Sequence, residues 1–169
     1  MNEITLDKMR DELARLLGGR KFGRIFPLSR VALAIDFRLA DGRFLFLSVE
    51  PAAPRVYLVE RRLRDLEKQS VNLSPFLLFL RKRLSNAVVE SVEKIANERV
   101  LVFEFSVITE LGEAERYFLA LQLTGRSANL LLLDRNRFIL DKMRETFGPG
   151  QELGDSYSPP FREEEKRRR

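Results

Sequence analysis

The chain has 169 residues, enough for one ordinary domain or two closely joined lobes, and folding at this length buries roughly 70% of the extended-chain surface. It contains no Cys and no His, which excludes disulfides, thiolate metal sites, the Ser-His-Asp triad and most zinc and haem ligand sets. Its formal charge is +5, and its 30 basic residues are 7 Lys and 23 Arg; this excess of Arg suits phosphates and base edges, or it reflects a genome rich in Arg codons.

The first predicted element is an amphipathic helix from about Thr5 to Leu17. Its apolar residues recur at helical spacing, Thr5 is the expected N-cap, and Gly18-Gly19 ends the helix. The segment is charged throughout, unlike a signal peptide, and no apolar run approaches the roughly 18 residues of a membrane span. We therefore expect a cytoplasmic protein with no membrane partner.

A first β-lobe is predicted over about residues 20–60. Apolar residues alternate with smaller or polar ones, and Asp41-Gly42 is a strong hairpin signal. The predicted strands of this lobe are Val31–Phe37, Phe44–Val49 and Arg55–Val59.

A charged connector, Glu60–Gln69, leads to a second helix over 75–84, in which Ser74 is the N-cap and Pro75 the first residue. A second β-lobe is predicted over about 87–142, with clear period-2 alternation of apolar residues. Its predicted strands are Ala87–Ile95, Arg99–Ile108, Arg116–Leu123, Asn129–Leu133 and Arg137–Lys142.

These elements predict an α+β fold of two mainly antiparallel β-lobes bridged by helices. From Phe147 onward the Gly- and Pro-rich pattern is typical of a linker or a domain edge. We expect a domain over 1–160 and, over 161–169, a charged tail or a linker to a downstream region.

The sequence gives little support for catalysis. The acidic cluster Glu110, Glu113 and Glu115 is typical of a solvated hairpin tip, and Gly18-Gly19 and Gly23 miss the spacing of both nucleotide-binding fingerprints. Composition leaves carboxylate-only metal sites and chemistry based on Lys or Asp open, but no pair of carboxylates has metal-ligand spacing. We expect no enzyme activity, no cofactor and no metal.

Several basic segments are candidates for contact with nucleic acid, and each has a structural alternative. Arg81-Lys82-Arg83 in the last turn of the second helix also complements the helix C-terminus. Gly125, beside Arg126 and Asn129, is either a bulge or tight turn or a point of close backbone approach. Glu98-Arg99 is otherwise a surface ion pair of small energetic value. The remaining candidates are Gly18-Gly19-Arg20-Lys21 with Arg24, and Arg61-Arg62 with Arg64.

Taken in order, a series of short segments resembles the N-terminal domain of the NFACT family, also known as fibronectin-binding protein A. The likeness covers about residues 5–160. The matching residues are Leu16-Leu17-Gly18-Gly19-Arg20 with Ile25-Phe26-Pro27; Ser48 and Pro51 with Arg55-Val56-Tyr57-Leu58; Pro75-Phe76 with Leu80-Arg81-Lys82-Arg83-Leu84; Glu98-Arg99-Val100; Gly125-Arg126 with Asn129-Leu130; and Pro149-Gly150 with Tyr157, Pro159 and Pro160.

The resemblance implies a fold similar to the N-terminal domain of formamidopyrimidine-DNA glycosylases and a part in ribosome-associated quality control. NFACT proteins bind the large ribosomal subunit obstructed by peptidyl-tRNA and recruit tRNA for template-free addition of residues, alanine in bacteria. The family's domain is thought to engage tRNA through an Asp-Arg pair, which corresponds to Glu98-Arg99. On this basis the expected nucleic-acid contacts are Arg20, Arg81, Lys82, Glu98, Arg99, Arg126 and Asn129.

Three departures from the family pattern bear on the tailing activity more than on the fold. Glu98 replaces an Asp, Ser127-Ala128 replace a His and a Ser, and Gln122 stands where an acid is usual. Two other functions stay open: an adhesion module that binds fibronectin or fibrinogen, and a DNA-binding domain without catalysis. The glycosylases of that fold use an N-terminal Pro nucleophile, whereas this chain begins Met1-Asn2-Glu3.

Neighbouring side chains of an extended strand point to opposite faces, so Glu98 and Arg99 reach one RNA only if the backbone turns between Asn97 and Glu98. Asn adopts turn and left-handed conformations readily, so the residue type allows such a turn here. In an extended strand, Arg99 shares the register of the apolar residues from Leu101 to Val107. It then either reaches RNA from the strand's end or pairs with a carboxylate that braces the lobe.

Overall fold

Two antiparallel sheets and three helices make up the fold in the computed structural model, which describes residues 1–160. The α+β prediction with two antiparallel lobes is confirmed, while the charged tail expected at 161–169 lies outside the described residues. The elements are α1 (Glu3–Leu17), β1 (Ile25–Pro27), β2 (Ala32–Ile35), β3 (Phe44–Ser48), β4 (Arg55–Val59), α2 (Leu63–Gln69), α3 (Pro75–Leu84), β5 (Val88–Lys94), β6 (Val100–Ile108), β7 (Ala114–Gln122), a 3₁₀ turn (Gly125–Ser127), β8 (Asn129–Leu133) and β9 (Ile139–Lys142).

Helix α1 begins two residues earlier than its predicted start. The expected cap, Thr5, is instead a donor: its backbone N–H binds the side-chain oxygen of Asn2, the actual N-cap, at 2.8 Å. The apolar face of the helix, with Leu6, Leu13 and Leu17 fully buried, packs along β5. The apolar spacing therefore identified the buried face correctly, although the capping residue was misassigned.

The first sheet has the order β1-β2-β3-β4, and β2, one of its two central strands, is buried on both faces. All four residues of β2 are buried, because its inward residues Leu33 and Ile35 face the main core while Ala34 lies beneath α2. Helix α2 lies within the segment predicted to be a charged connector. Leu66 is its only buried residue, so its amphipathic signal in the sequence is weak.

The second sheet is a meander with the order β5-β6-β7-β8-β9. Its inner face, which includes Leu101, Phe103 and Phe105, shares one hydrophobic core with the inner face of the first sheet and with α1 and α3. Phe22 joins the two lobes inside this core, with edge-to-face contacts at ring-centroid distances of 5.8 Å to Phe37 and 5.6 Å to Phe105.

The outer face of the second sheet is partly covered by the segment after β9. Residues 154–157 run beside the start of β9, where the Ile139 N–H donates to the Asp155 carbonyl at 2.9 Å and the Tyr157 N–H to the Arg137 carbonyl at 2.9 Å. Tyr157 packs on the buried apolar cluster of this face. The segment from Phe147 to residue 160 therefore packs against the second sheet, which favours a domain edge, the second of the two interpretations, over a linker.

Candidate nucleic-acid interface

One end of the second sheet brings together four of the seven predicted site residues. The ladder pairs Val100, the first residue of β6, with Gln122 at the end of β7, and Gln122 with Asn129 at the start of β8. Glu98 and Arg99 immediately precede this row, and Arg126 lies in the turn between β7 and β8. We call this group, Glu98, Arg99, Arg126 and Asn129, the Arg99 end.

The backbone turns at Asn97, as the residue type allows. Asn97 has a left-handed φ of +64°, and the Glu98 N–H donates to the Ile95 carbonyl at 3.1 Å. Arg99 is exposed at the end of the strand, while its carbonyl accepts from the Leu123 N–H at 2.8 Å. Among residues 1–160 Arg99 has no ion-pair partner, so within this range it is not part of a bracing pair.

Lys94, which no sequence pattern singled out, stabilises this turn through contacts of its buried side chain. Its side chain is only 8% exposed. The Nζ atom lies 2.9 Å from Glu3 and 3.5 Å from Asp7, and it donates to the carbonyls of Ile95 at 3.2 Å and Glu98 at 3.3 Å. One ammonium group thus joins the first turns of α1 to the loop that presents Arg99.

Arg126 is exposed on a short, internally bonded 3₁₀ turn. Gly125 has a φ of +66°, so the tight turn predicted there is present, and the Ala128 N–H closes it by donating to the Gly125 carbonyl at 3.0 Å. Arg144 braces the turn from β9's side, since its Nη1 donates to the carbonyls of Arg126, at 3.2 Å, and of Ala128. Within residues 1–160 the Arg126 guanidinium itself has no ion-pair partner.

Asn129 lies behind this turn with no exposed surface. Its amide nitrogen donates to the Arg144 carbonyl at 2.8 Å and to the Thr146 hydroxyl at 2.9 Å, while its oxygen accepts from the Arg144 N–H at 2.8 Å. Asn129 therefore exposes no polar atom that could make the direct RNA contact expected of it. Its position instead suits it to hold the loop of Arg126.

A second buried polar group locks the C-terminal segment to the same turn. The Gln122 Nε2 donates to the Ser127 carbonyl at 2.6 Å, and the Gln122 Oε1 accepts from the Tyr157 hydroxyl at 2.7 Å. Burial, together with the negative charge of Glu98, raises the pKa of Tyr157 well above its ordinary value. The phenol therefore stays protonated and acts as a hydrogen-bond donor.

Arg20, Arg81 and Lys82 lie at the opposite end of the second sheet. The Arg20 carbonyl accepts from the Val89 N–H at 2.9 Å, and Val89 pairs with Phe105, six residues along β6 from Arg99. At about 3.3 Å per residue these six residues span about 20 Å. Arg81 and Lys82 are exposed in the last turn of α3, which leads directly into β5. The seven predicted residues thus form two separate groups.

Residues 1–160 contain no group of three or more carboxylates suited to hold a metal ion. None of the helices in this range is both long enough and apolar enough to cross a membrane.

Comparison with known families agrees with the resemblance found in the sequence. The sequence model of the family described as "NFACT N-terminal and middle domains" matches residues 2–148, most of the chain. The chain belongs to the NFACT family. The Arg99 end lies within the matched residues.

Relatives of this chain include proteins named "Rqc2 homolog RqcH". The protein of Streptococcus suis is 31% identical over 132 residues, which is 78% of this chain and 23% of that protein. The protein of Streptococcus pneumoniae is 29% identical over 92 residues, 54% of this chain and 16% of that protein. Each match thus spans less than a quarter of the relative's length.

Solved structures of similar fold include the N-terminal domain of the fibronectin-binding protein PavA from Streptococcus pneumoniae. It has a TM-score of 0.79 at 23% identity, over 98% of this chain and 66% of that one. The N-terminal part of the fibronectin/fibrinogen-binding protein of Streptococcus suis has a TM-score of 0.79 at 21% identity, over 93% and 60%. At these identities the likeness shows the fold alone.

Proposed function

We propose that this chain is the RNA-binding module of a ribosome-associated quality control factor. It binds tRNA and the large ribosomal subunit obstructed by peptidyl-tRNA, and it supports C-terminal alanine tailing of stalled chains without itself being an enzyme. The observation that carries the proposal is the pair of exposed arginines, Arg99 and Arg126, that one sheet end presents without ion-pair partners in residues 1–160. We place this activity in the cytoplasm and in the domain over 1–160.

The two arginines are presented by backbone that is already ordered. Lys94 and Asn97 fix the turn before Arg99, while Arg144 and Asn129 fix the turn that carries Arg126. A guanidinium on such a support binds phosphate as a bidentate fork with little loss of backbone freedom. Arg20, Arg81 and Lys82, about 20 Å away along the sheet, contact phosphates farther along the same RNA.

The test is filter binding of the 169-residue chain to tRNA at two salt concentrations. Phosphate contacts release counterions, so we expect affinity to fall steeply as salt rises. Arg126→Ala should weaken binding and flatten the salt dependence, whereas Arg135→Ala, an equal charge change in the exposed β8–β9 turn, should have little effect. No binding at either salt concentration, or equal effects of the two variants, would contradict the proposal.

Binding of fibronectin or fibrinogen is a second candidate. Its support is the fold shared with proteins that are named for binding fibronectin or fibrinogen. The measurement is surface plasmon resonance of the chain on immobilised human fibronectin, with tRNA as a competitor in solution. Saturable binding that tRNA does not displace favours this function, and an absence of binding removes it.

The proposed likeness to the N-terminal domain of formamidopyrimidine-DNA glycosylases leads to a third, weaker candidate, DNA binding without catalysis. Only the resemblance stated above supports it. A duplex DNA of the same length as the tRNA, used as a competitor in the filter assay, separates it from the first proposal. Equal competition by DNA and tRNA favours a general nucleic-acid surface over a tRNA-binding one.

A further inference from the structure

The outer face of the first sheet carries a row of side chains across all four strands. The register aligns Phe26 of β1, Ala34 of β2, Phe46 of β3 and Tyr57 of β4. Helix α2 covers half of this face, where Leu66 packs on Phe26, Ala34 and Phe44. The half that carries Phe46 and Tyr57 is not covered by α2.

Phe46 and Tyr57 form an aromatic pair at the surface. Their ring centroids are 5.0 Å apart with an interplanar angle of 36°, and Tyr57 is 37% exposed. Among residues 1–160 the Tyr57 hydroxyl has no hydrogen-bond partner, whereas the Tyr117 hydroxyl donates to Glu115 and that of Tyr157 to Gln122. Tyr57 thus differs from the other two tyrosines in having both an accessible ring and an unused polar group.

Positive charge lies beside the aromatic pair. The Arg55 guanidinium lies 5.3 Å from the Phe46 ring centre, and it is held there by a 2.6 Å hydrogen bond to the Ala53 carbonyl. Glu50, the one carboxylate that pairs with it in residues 1–160, is 3.8 Å away and half exposed. Beyond the other end of β4, the exposed residues Arg61-Arg62 share a depression with three carboxylates, those of Asp41, Glu60 and Asp65, so the positive charge at this surface is that of Arg55.

We propose that Phe46, Tyr57 and Arg55 form a stacking site for an unpaired RNA base. The inference rests on the proposed RNA-binding function and adds to it a second surface, on the other sheet. Every base has a π-face, so an aromatic ring on a rigid sheet binds unpaired bases with little sequence preference. Arg55 lies beside the rings, where its guanidinium plane stacks on a base or its N–H groups bind a phosphate. The Tyr57 hydroxyl adds a hydrogen-bonding group.

The test is photochemical crosslinking of the chain to hexauridine at 254 nm, with the crosslinked peptide mapped by mass spectrometry. The affinity is measured by fluorescence anisotropy of dye-labelled hexauridine, a readout that does not depend on the tyrosine being replaced. We expect a crosslink on the peptide that holds Tyr57 or Phe46. Tyr57→Ala should weaken hexauridine binding about 5- to 100-fold, and Tyr57→Phe, which keeps the ring, should change it less than about 3-fold.

Phe138→Ala is the matched control, since Phe138, directly before β9, is 43% exposed, and it should leave hexauridine binding unchanged. If Tyr57→Ala does not fold, Tyr57→Leu keeps the apolar bulk without the ring and should show the same loss. The proposal is overturned if hexauridine crosslinks elsewhere, or if Tyr57→Ala changes self-association of the chain and not RNA binding. Loss of tRNA binding in Arg126→Ala with none in Tyr57→Ala contradicts this inference while supporting the proposed function. The reverse pattern supports this inference and contradicts the assignment of the Arg99 end as the RNA-binding site.

Discussion

The side-chain amides of Gln122 and Gln151 hydrogen-bond to each other in both directions, at 2.9 and 3.0 Å, with neither residue exposed. The pair joins the last residue of β7 to the C-terminal segment, 29 residues away in the chain. The remaining amide proton of Gln122 reaches the Ser127 carbonyl, directly after Arg126. The segment after β9 is thus connected to the turn that carries one of the proposed RNA-binding arginines.

Gln122→Glu should destabilise the domain, although the family resemblance leads us to expect an acid at this position. A carboxylate cannot donate to the Ser127 carbonyl and brings negative charge against the Gln151 Oε1. Leaving such buried acceptors without donors costs about 1–3 kcal/mol. Urea unfolding measures this loss, and Gln69→Glu at the exposed end of α2 is the control. Equal unfolding free energies for the two variants would contradict the structural role of Gln122.

Asn97→Ala should be destabilising and Asn97→Gly tolerated. Asn97 has a φ of +64°, a conformation that costs an L-residue with an ordinary side chain roughly 1–2 kcal/mol and costs Gly nothing. The melting temperature of the Ala variant should fall and that of the Gly variant should stay close to the parent. The opposite ranking would mean that this turn is not left-handed in solution.

Local signals in the sequence predicted some elements to the residue. Ser74 and Pro75 fix the start of α3 because capping and the restricted φ of Pro act within one turn. Helix α2 and strand β1 were missed because tertiary burial stabilises them. A single buried residue, Leu66, holds α2, and β1 has three residues that include Pro27.

The candidate site also combines features that the sequence predicts with features that it does not. The turn at Asn97 and the tight turn at Gly125 were predictable, because each depends on a residue type that accepts a positive φ. The stabilising contacts of Lys94 and Gln122 were not predictable, since each side chain binds partners far away in the chain. Lys94 reaches back to Glu3, and Gln122 reaches forward to Tyr157. No local pattern reports such pairs.

Lys94→Met should loosen the turn that presents Arg99. The change leaves the carbonyls of Ile95 and Glu98 without their shared donor and leaves Glu3 without its ion pair. We expect a stability loss of about 1–3 kcal/mol. In filter assays at a temperature where the variant is folded, affinity for tRNA should also fall, because Arg99 is displaced. Lys8→Met on the exposed face of α1 is the control and should change neither quantity.

Alkaline pH should destabilise the domain in part through Tyr157. Burial and the Glu98 carboxylate raise the pKa of Tyr157 in the fold, whereas in the unfolded chain the phenol ionises near pH 10. Its contribution to stability is therefore complete below that pH and is lost as the pH rises above it. Between pH 8 and pH 11 the parent should lose about 1.4 kcal/mol more unfolding free energy than Tyr157→Phe. Equal losses would show that Tyr157 ionises normally.

The affinity of Arg99→Ala for tRNA tests the central claim most directly. If Arg99 contacts RNA, the variant should bind tRNA more weakly by about 1–3 kcal/mol, with a smaller dependence on salt, while its melting temperature stays close to that of the parent. Arg135→Ala, measured alongside, should match the parent in both respects. A normal affinity for tRNA, or a melting temperature that falls with the affinity, would contradict the assignment of the Arg99 end as an RNA-binding site.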